Sequence, residues 1–192
     1  DNTGAVTEDS ITTTATDTLV ASDVDGDTLT WSCTNCIDAG DTQTLTGTYG
    51  AWVLTESTGV WLYTIDNTDV NTNALDADAT PTDTLTAIVS DGAGTTASIT
   101  VTVTLTGAND LPTTSTPIAQ SATEDTSFTG YATSDFPFAD VDGDSITSIT
   151  ITVVESSGTL EKSTDGASWT DVSANDIILT ANIQHLSLIH TL

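Results

Sequence analysis

T-A-S-I-T-V-T-V-T-L-T, residues Thr96–Thr106, alternates polar and apolar side chains over most of its length. A period of two predicts a β-strand with one buried face. A similar run, Thr84–Ser90, precedes it across Asp91–Gly94, and Asp-Gly between two alternating runs indicates a hairpin. Within Thr96–Thr106, the larger apolar residues share one face of the strand: Ile99, Val101, Val103 and Leu105.

Similar short runs lie upstream of this hairpin. We expect a second hairpin that pairs Tyr49–Leu54 with Val60–Ile65, and a further strand at Thr28–Ser32. No segment shows a convincing helical period, and Val70–Ala79 is expected to hold one helical turn at most. Short strands that alternate with turns predict an all-β chain folded as antiparallel β-sandwiches.

Two motifs occur twice and define an internal repeat. T-E-D stands at Thr7–Asp9 and Thr123–Asp125, and D-V-D-G-D stands at Asp23–Asp27 and Asp140–Asp144. The repeat period is about 116 residues, so two copies of one domain type are predicted. The stretch G-A-N-D-L-P ends a strand and contains a proline, which places the domain boundary near Asp110.

The predicted domains are residues 1–110 and 111–192, and the second is shorter than the repeat period requires. It has no counterpart to the closing hairpin of the first copy, so an incomplete sandwich with an unpaired edge is expected. Its apolar tail, Ile183–Leu192, would be poorly placed in solvent. Its expected strands are Ser127–Tyr131, Ile146–Val154, Gly158–Glu161, Trp169–Val172 and Ile177–Thr180.

The charge balance restricts the partners. The chain of 192 residues carries 28 acidic side chains and a single basic one, Lys162. Because like charges repel, nucleic acids and anionic membrane surfaces are excluded and cations are favoured. No apolar run approaches the roughly 20 residues that span a bilayer, and no leader peptide is recognisable, so we expect a mature soluble chain or an internal fragment.

The D-V-D-G-D motif indicates a cation site. Its three aspartates can point into one concavity around a glycine turn, and Ca²⁺ requires about six to eight oxygen ligands. An EF-hand is excluded because its required Gly and Glu positions hold Thr28 and Thr34 in the first copy. A solvated acidic turn is the alternative, and the glutamates of T-E-D could be charges that protect a strand edge. The candidate ligands of Ca²⁺ are Asp23, Asp25, Asp27, Asn109, Asp110, Asp140, Asp142, Asp144, Glu8 and Glu124.

The two cysteines, Cys33 and Cys36, form a C-x-x-C motif. No βαβ pattern surrounds it to indicate a redox site, and half of a zinc site has no partner half in this chain. We expect a short-loop disulfide if the protein is exported, with free thiols or metal binding as the alternatives.

Two other function classes are weighed against a structural role. No nucleophile motif or metal-binding histidine pair is present, so we expect no enzymatic activity. A carbohydrate-binding module is a stronger rival, because outward-facing aromatic rings stack on sugars. Alternation places Trp61 and Tyr63 on one face of a strand and apolar neighbours on the other, and we expect at least one of these two faces to belong to the core. The candidate stacking residues are Trp31, Trp52, Trp61 and Tyr63.

Several motifs together resemble the VCBS and cadherin-like repeats of large bacterial surface and secreted proteins. Besides T-E-D and D-V-D-G-D, they are G-T-Y-G at Gly47–Gly50, W-x-Y at Trp61–Tyr63, the Asp66-Asn67 turn and S-D-G-A-G. The second copy resembles cadherin-like repeats but departs from them after Ile178. The resemblance implies tandem immunoglobulin-like sandwiches, calcium near the junctions, an extracellular location, and roles in adhesion, biofilm matrix or extended stalks.

The spacing of the motifs leads to a hypothesis about assembly. An unbroken strand between T-E-D and D-V-D-G-D would place them at opposite poles, with Asp23–Asp27 facing Asn109, Asp110 and Glu124 at the junction. If the strand bends back, Asp140–Asp144 face the junction instead. Either arrangement leaves one cluster at a free end.

We therefore expect head-to-tail association, in which a strand of a neighbouring copy completes the second domain and calcium bridges the joint. The N-terminal segment Asp1–Val20 is the suggested donor strand. The alternatives are that the chain belongs to a longer tandem adhesin or binds cell-surface glycans.

Overall fold

The computed structural model describes residues 2–115 and 123–189 and divides the chain into two compact units, Asp1–Asp110 and Leu111–Leu192. This division coincides with the boundary expected from the sequence. The all-β prediction is confirmed, because the described elements are strands except for two 3-10 turns, Thr133–Asp135 and Thr180–His185. No described helix is long and apolar enough to cross a membrane.

The first unit contains two sheets. One sheet has four strands in the order β1-β9-β8-β3, and the other has five in the order β2-β7-β6-β5-β4. All neighbouring strands are antiparallel except β1, which runs parallel to β9. The strands are β1 (Thr3–Thr7), β2 (Thr14–Thr18), β3 (Thr30–Cys33), β4 (Ile37–Asp38), β5 (Thr42–Thr46), β6 (Gly50–Thr55), β7 (Val60–Ile65), β8 (Thr82–Ser90) and β9 (Thr96–Thr106).

The hairpin formed by β8 and β9 is the longest element of the first unit. Its register runs from Thr82 opposite Thr104 to Ser90 opposite Thr96. Alternation buries one face of each strand, as the sequence predicts, whereas Ile99 near the turn keeps 40% of its surface exposed. The hairpin contributes these buried side chains to the core: Leu85, Ala87, Val101, Val103 and Leu105.

Three aromatic side chains of β6 and β7 fill the other half of this core. The ring of Trp52 lies 4.7 Å from Tyr63 and 5.9 Å from Trp61, measured between ring centroids. All three are at most 1% exposed. Their alternation with more exposed neighbours shows that the face of β7 that carries Trp61 and Tyr63 is the core face.

A buried carboxylate connects the two sheets. Asp83 on β8 accepts hydrogen bonds from the backbone N–H groups of Thr48 and Tyr49, both at 3.0 Å, and from the Tyr63 hydroxyl at 2.8 Å. Gly47 passes so close that an added Cβ would clash with the Asp83 carboxylate. Burial and the Asp83 hydrogen bond raise the pKa of Tyr63, so its hydroxyl stays protonated and donates.

The N-terminal segment belongs to the first unit. Strand β1 pairs with β9 over Thr3–Thr7, and β2 pairs with β7 over Thr14–Thr18. Val6 is 2% exposed, and Gly4 is in close contact with Ala15 and Trp61. The segment suggested as a donor strand is therefore paired within its own unit over both of these strands.

The second unit has smaller sheets. A four-stranded sheet has the order β11-β17-β14-β15, and two further pairs join β13 to β16 and β10 to β12. All of these pairs are antiparallel. The strands are β10 (Thr113–Thr114), β11 (Phe128–Thr129), β12 (Phe138–Ala139), β13 (Ser148–Ile151), β14 (Thr159–Lys162), β15 (Thr170–Asp171), β16 (Asp176–Leu179) and β17 (Leu186–Ile189).

The core of the second unit is small. Among the described residues, its buried hydrophobic side chains are Val172, Ile178, Ile183 and Leu186, against 15 in the first unit. The apolar C-terminal segment is therefore part of the core through Ile183 and Leu186; residues 190–192 lie outside the described residues. Within the described part of this unit, no long hairpin corresponds to β8 and β9. Several apolar side chains are instead exposed: Val153 at 82%, Ile177 at 64% and Leu179 at 56%.

The single Lys of the sequence forms an ion pair within this unit. Lys162 on β14 forms a 2.6 Å ion pair with Asp176 on β16, and so links the four-stranded sheet to the β13–β16 pair. The hydrogen bond from Lys162 and the N–H of Ser173 lower the pKa of Asp176. Both side chains are partly exposed, so the pair contributes little free energy by itself.

We predict that Asp83→Ala lowers the free energy of unfolding of the first unit by about 3 kcal/mol or more, because it leaves buried donors without an acceptor. Tyr63→Phe, which removes one of three donors, is expected to cost about 2 kcal/mol. Urea denaturation measures both values. Thr48→Ala is the control, since only the backbone of this exposed residue contacts Asp83. Equal stability of Asp83→Ala and Thr48→Ala would show that the carboxylate does not hold the sheets together.

Candidate cation-binding loops

The two D-V-D-G-D loops adopt the same conformation. Oδ1 of Asp23 accepts hydrogen bonds from the N–H groups of Asp25 at 2.8 Å and Asp27 at 3.2 Å. In the second unit, Oδ1 of Asp140 accepts the equivalent bonds, at 3.1 and 3.2 Å. The glycines also match, with φ of 83° at position 26 and 85° at position 143, a region that disfavours other residues.

The T-E-D motifs match as well. Asp9 and Asp125 both have positive φ, 51° and 55°, which is uncommon for a residue with a side chain. The backbone therefore repeats at both motifs, although the two units differ in their sheets. This repetition supports the internal duplication expected from the sequence.

The first aspartate of each loop serves the loop itself. One oxygen of its carboxylate binds two backbone N–H groups, which closes a tight acidic turn. In the first loop, Asp25 and Asp27 remain exposed; in the second, Asp142 is half-buried and Asp144 exposed. Among residues 2–115 and 123–189, no three His, Cys, Asp or Glu side chains form a group that could hold a metal ion. Each loop alone is therefore an ordered acidic turn.

The first loop lies at one end of the first unit. It leads into β3, whose first residue, Thr30, pairs with Ser90 at the turn end of the β8–β9 hairpin. A third turn of the same kind lies at this end, where Oδ1 of Asp91 accepts the N–H groups of Ala93 at 2.8 Å and Thr95 at 3.3 Å. From the sequence, Asp91 was expected only as a hairpin residue. The pattern that it shares with the D-V-D-G-D loops is a glycine of positive φ three residues after the aspartate, Gly94 in this turn.

The T-E-D motif lies at the opposite end of this unit. Glu8 is 2% exposed, donates its N–H to the carbonyl of Thr106 at 2.9 Å, and accepts the N–H of Ala108 on Oε2 at 3.1 Å. The nine paired residues of β8 and β9 separate the two ends by about 27 Å. Glu8 therefore fixes the end of β9, a structural role that its selection as a ligand did not anticipate.

One set of ligands expected from the sequence is not brought together in the first unit. Asn109 and Asp110 follow directly after the Glu8 end, whereas Asp23–Asp27 lie at the hairpin-turn end. The first cluster therefore does not face Asn109 and Asp110, because β2 runs back along the sandwich after the T-E-D turn. The amide of Asn109 donates to the carbonyl of Asp110, and Glu124, in the second unit, is exposed.

The aromatic candidates for sugar stacking lie in the core. Trp31 is 7% exposed, and the other three are at most 1% exposed. The rings lie in the core because Trp31 is on the buried face of β3 and the other three are on the buried faces of β6 and β7. These residues therefore do not form a carbohydrate platform.

The cysteines are joined. Cys33 and Cys36 form a disulfide with a Cα–Cα distance of 5.5 Å, and the described residues include no free thiol. The N–H of Cys33 donates to Oε1 of Gln43 at 2.8 Å, which ties the edge of β3 to β5. The disulfide therefore closes the turn after β3.

An open cleft of about 520 Å³ lies beside the G-T-Y-G turn of the first unit. It is lined by small and polar side chains, with Asp66 and Asp69 at its acidic border. The hydroxyl and N–H of Thr68 lower the pKa of Asp66. The cleft has no aromatic wall, so it does not replace the buried rings as a sugar-stacking surface.

No protein-family model and no curated protein matches this chain. The resemblance to VCBS and cadherin-like repeats therefore stays a prediction.

We expect Trp61→Ala to lower the free energy of unfolding by about 3–5 kcal/mol, because it empties a fully buried site. Val60→Ala on the other face of β7 is the control, since Val60 is 37% exposed and should lose far less. Thermal denaturation compares the two variants. A Trp61→Ala protein as stable as the wild type would contradict the burial of this ring and make it again a candidate for stacking on sugars.

We expect Asp23→Ala to open the first loop, because two backbone N–H groups lose their acceptor. Amide hydrogen exchange at Asp25 and Asp27, followed by NMR, should accelerate about tenfold, as expected for losing roughly 1.4 kcal/mol. Asp23→Asn keeps an Oδ1 acceptor and should retain protection. If the alanine and asparagine variants exchange equally, this carboxylate does not order the loop.

Proposed function

We propose that the chain is a non-enzymatic, calcium-stiffened extracellular structural or adhesive protein that associates with copies of itself head to tail. In this proposal it is a VCBS or cadherin-like tandem repeat. The observation that carries the proposal is the acidic D-x-D-G-D turn, which both units build with the same hydrogen bonds. A turn of that kind presents carboxylate oxygens, the ligands that Ca²⁺ prefers.

The charge of the chain supports a role for cations. A formal net charge of −27 opposes close approach between copies, and the sequence contains one basic side chain that could offset it. Bound Ca²⁺ would remove this repulsion where acidic loops meet. Each loop lacks a complete set of ligands, so further oxygens would come from water or from a neighbouring domain.

The packing of the second unit supports self-association. Its four buried core residues and its exposed Val153, Ile177 and Leu179 leave apolar surface that a neighbouring chain could cover. Segment Asp1–Val20 is occupied in its own unit, so the donor differs from the one suggested by the sequence.

The two alternatives differ in their support. A carbohydrate-binding module loses its aromatic platforms to the core, so glycan binding would need another surface. Membership of a longer tandem adhesin remains compatible with the same sandwich and loops, and differs from self-assembly in the state of the purified chain. The oligomeric state with and without calcium therefore tests the proposal.

We expect calcium in the millimolar range to convert the chain into filaments or larger assemblies in negative-stain electron microscopy and analytical ultracentrifugation, and EDTA to reverse this. Replacing Asp23, Asp25 and Asp27 by asparagine should raise the calcium concentration needed by about tenfold or more, because ligand charge sets affinity. The matched control replaces Asp76, Asp78 and Asp171 by asparagine. These residues are exposed, and their replacement removes the same charge.

Equal effects of the two triple variants would mean that calcium acts only through general charge screening. Monodisperse particles of the wild-type chain in calcium and in EDTA would contradict self-assembly and favour a segment of a longer adhesin.

A further inference from the structure

The sheet edges of the first unit differ in how well they are protected from pairing with a strand of another chain. Strand β2 carries Asp17 on its edge, and β4 is two residues long. The outward N–H groups of β3 are covered, since Trp31 donates to the carbonyl of Glu56 and Cys33 to the side chain of Gln43. These are the devices by which proteins prevent edge-to-edge pairing.

One stretch of edge has no such protection. Strand β1 is five residues long and covers β9 only from Thr102 to Thr106. Because the N–H of Thr102 and the carbonyl of Thr106 point toward β1, the backbone groups of Thr96 and Ser98 point to the same side. No described residue hydrogen-bonds them there, and the side chains of Thr96 to Thr100 are exposed.

The second unit has a matching edge. Strand β13 pairs with β16 through the carbonyls of Thr147 and Ile151, so the backbone groups of Ser148 and Thr150 point to the other side. Within the described part of the chain no strand lies on that side.

We propose that the open edge of β9, Thr96–Ile99, pairs in parallel with the open edge of β13, Ser148–Ile151, of a second copy. This inference rests on the self-association proposed above and names the surfaces that form the joint. The pairing is heterologous, because each copy offers one edge of each kind, and it therefore propagates head to tail.

Charge favours these two edges over other surfaces. The sequence has no acidic residue from Thr95 to Ala108 or from Ser145 to Val154, in a chain with 28 acids. Two copies that repel each other over most of their surfaces can approach most closely along uncharged edges. Neither edge contains lysine or proline, which commonly block such pairing.

The parallel direction follows from the edge itself. Strand β1 already pairs with the other half of β9 in parallel, so β13 of a second copy would continue in the same direction. The chain bends at Val153, after β13 ends, and would leave the edge before it reached Asn2, whose side chain caps the carbonyl of Thr100. The pairing would place the exposed Ile99 beside Ile151, which is only half-buried in its own unit.

This direction also explains the need for calcium. The first acidic loop lies at the Thr96 end of β9, because Thr30 pairs with Ser90 and Ser90 with Thr96. The second loop ends at Asp144, shortly before Ser148. A parallel joint therefore brings both acidic loops to the same end, whereas an antiparallel joint separates them by roughly the 10 Å length of β13.

Thiol cross-linking tests the pairing. The native cysteines are both in a disulfide, so Ser98→Cys and Thr150→Cys each introduce one reactive thiol. A short bismaleimide should cross-link an equimolar mixture of the two full-length variants into a dimer in calcium, and give far less product with either variant alone. Efficient cross-linking of Ser98→Cys with itself would overturn the heterologous joint. An internal cross-link in monomers of the double variant would show that the edges meet within one chain and also overturn it.

Proline substitution provides a second test with a matched control. Ser98→Pro removes an N–H that faces the open edge, and Ser98→Ala keeps it. The proline variant should need about a tenfold higher protein concentration to assemble, as expected for losing a hydrogen bond and edge contact, while its thermal midpoint matches that of the alanine variant.

The outcomes separate this inference from the proposed function. If the wild type assembles with calcium but the Ser98→Pro and Ser98→Ala variants assemble equally, self-association stands and this joint is wrong. If the wild type never assembles, both fail.

Discussion

A chain with one basic side chain has to satisfy its carboxylates with N–H and O–H donors. Asp83 solves this in the core with two backbone N–H groups and a tyrosine hydroxyl, and thereby joins the two sheets of the first unit. Glu8 solves it at the end of β9 by binding the N–H of Ala108. At the surface, Asp165 accepts N–H groups from Ala167 and Ser168, and these bonds lower its pKa to about 2. These three acids are therefore part of the framework, since each fixes a turn or connects two segments of the chain.

The same constraint gives the D-V-D-G-D loops two roles. The first aspartate orders the loop through backbone hydrogen bonds, and this role needs no cation. The later aspartates add charge that the loop itself does not neutralise, because Lys162 already pairs with Asp176. In the proposed function such a turn would supply part of the ligands of Ca²⁺, and the remaining oxygens would come from water or from a neighbouring domain. Local order and incomplete coordination are thus compatible.

Local patterns in the sequence predicted part of this structure. The strands Val60–Ile65 and Thr96–Thr106 have the predicted bounds, because alternation and turn residues are local signals. Strand β1 was missed because its parallel pairing with β9 joins segments about 100 residues apart, and no local pattern encodes such a contact. The buried position of Asp83 was not predicted. Asp83 lies two residues before Leu85 and therefore on the same face of β8, and this spacing is the sequence signal of an inward-facing acid. The convergence of three carboxylates was expected from spacing alone, whereas the loop turns one of them onto its own backbone.

The two units differ in the size of their hydrophobic cores, and this difference bears on the proposed assembly. The first unit closes its sandwich with the β8–β9 hairpin. Within the described residues, the second buries four hydrophobic side chains and leaves β13 with one open edge. Covering that edge with a strand would satisfy its backbone groups and bury apolar surface, and both effects favour association. Repulsion between chains of charge −27 opposes it. In the proposed assembly, pairing of uncharged edges is a short-range gain and repulsion between the chains is a longer-range cost. Cations would reduce that cost and leave the strand contacts unchanged, which is why the proposed association would depend on them.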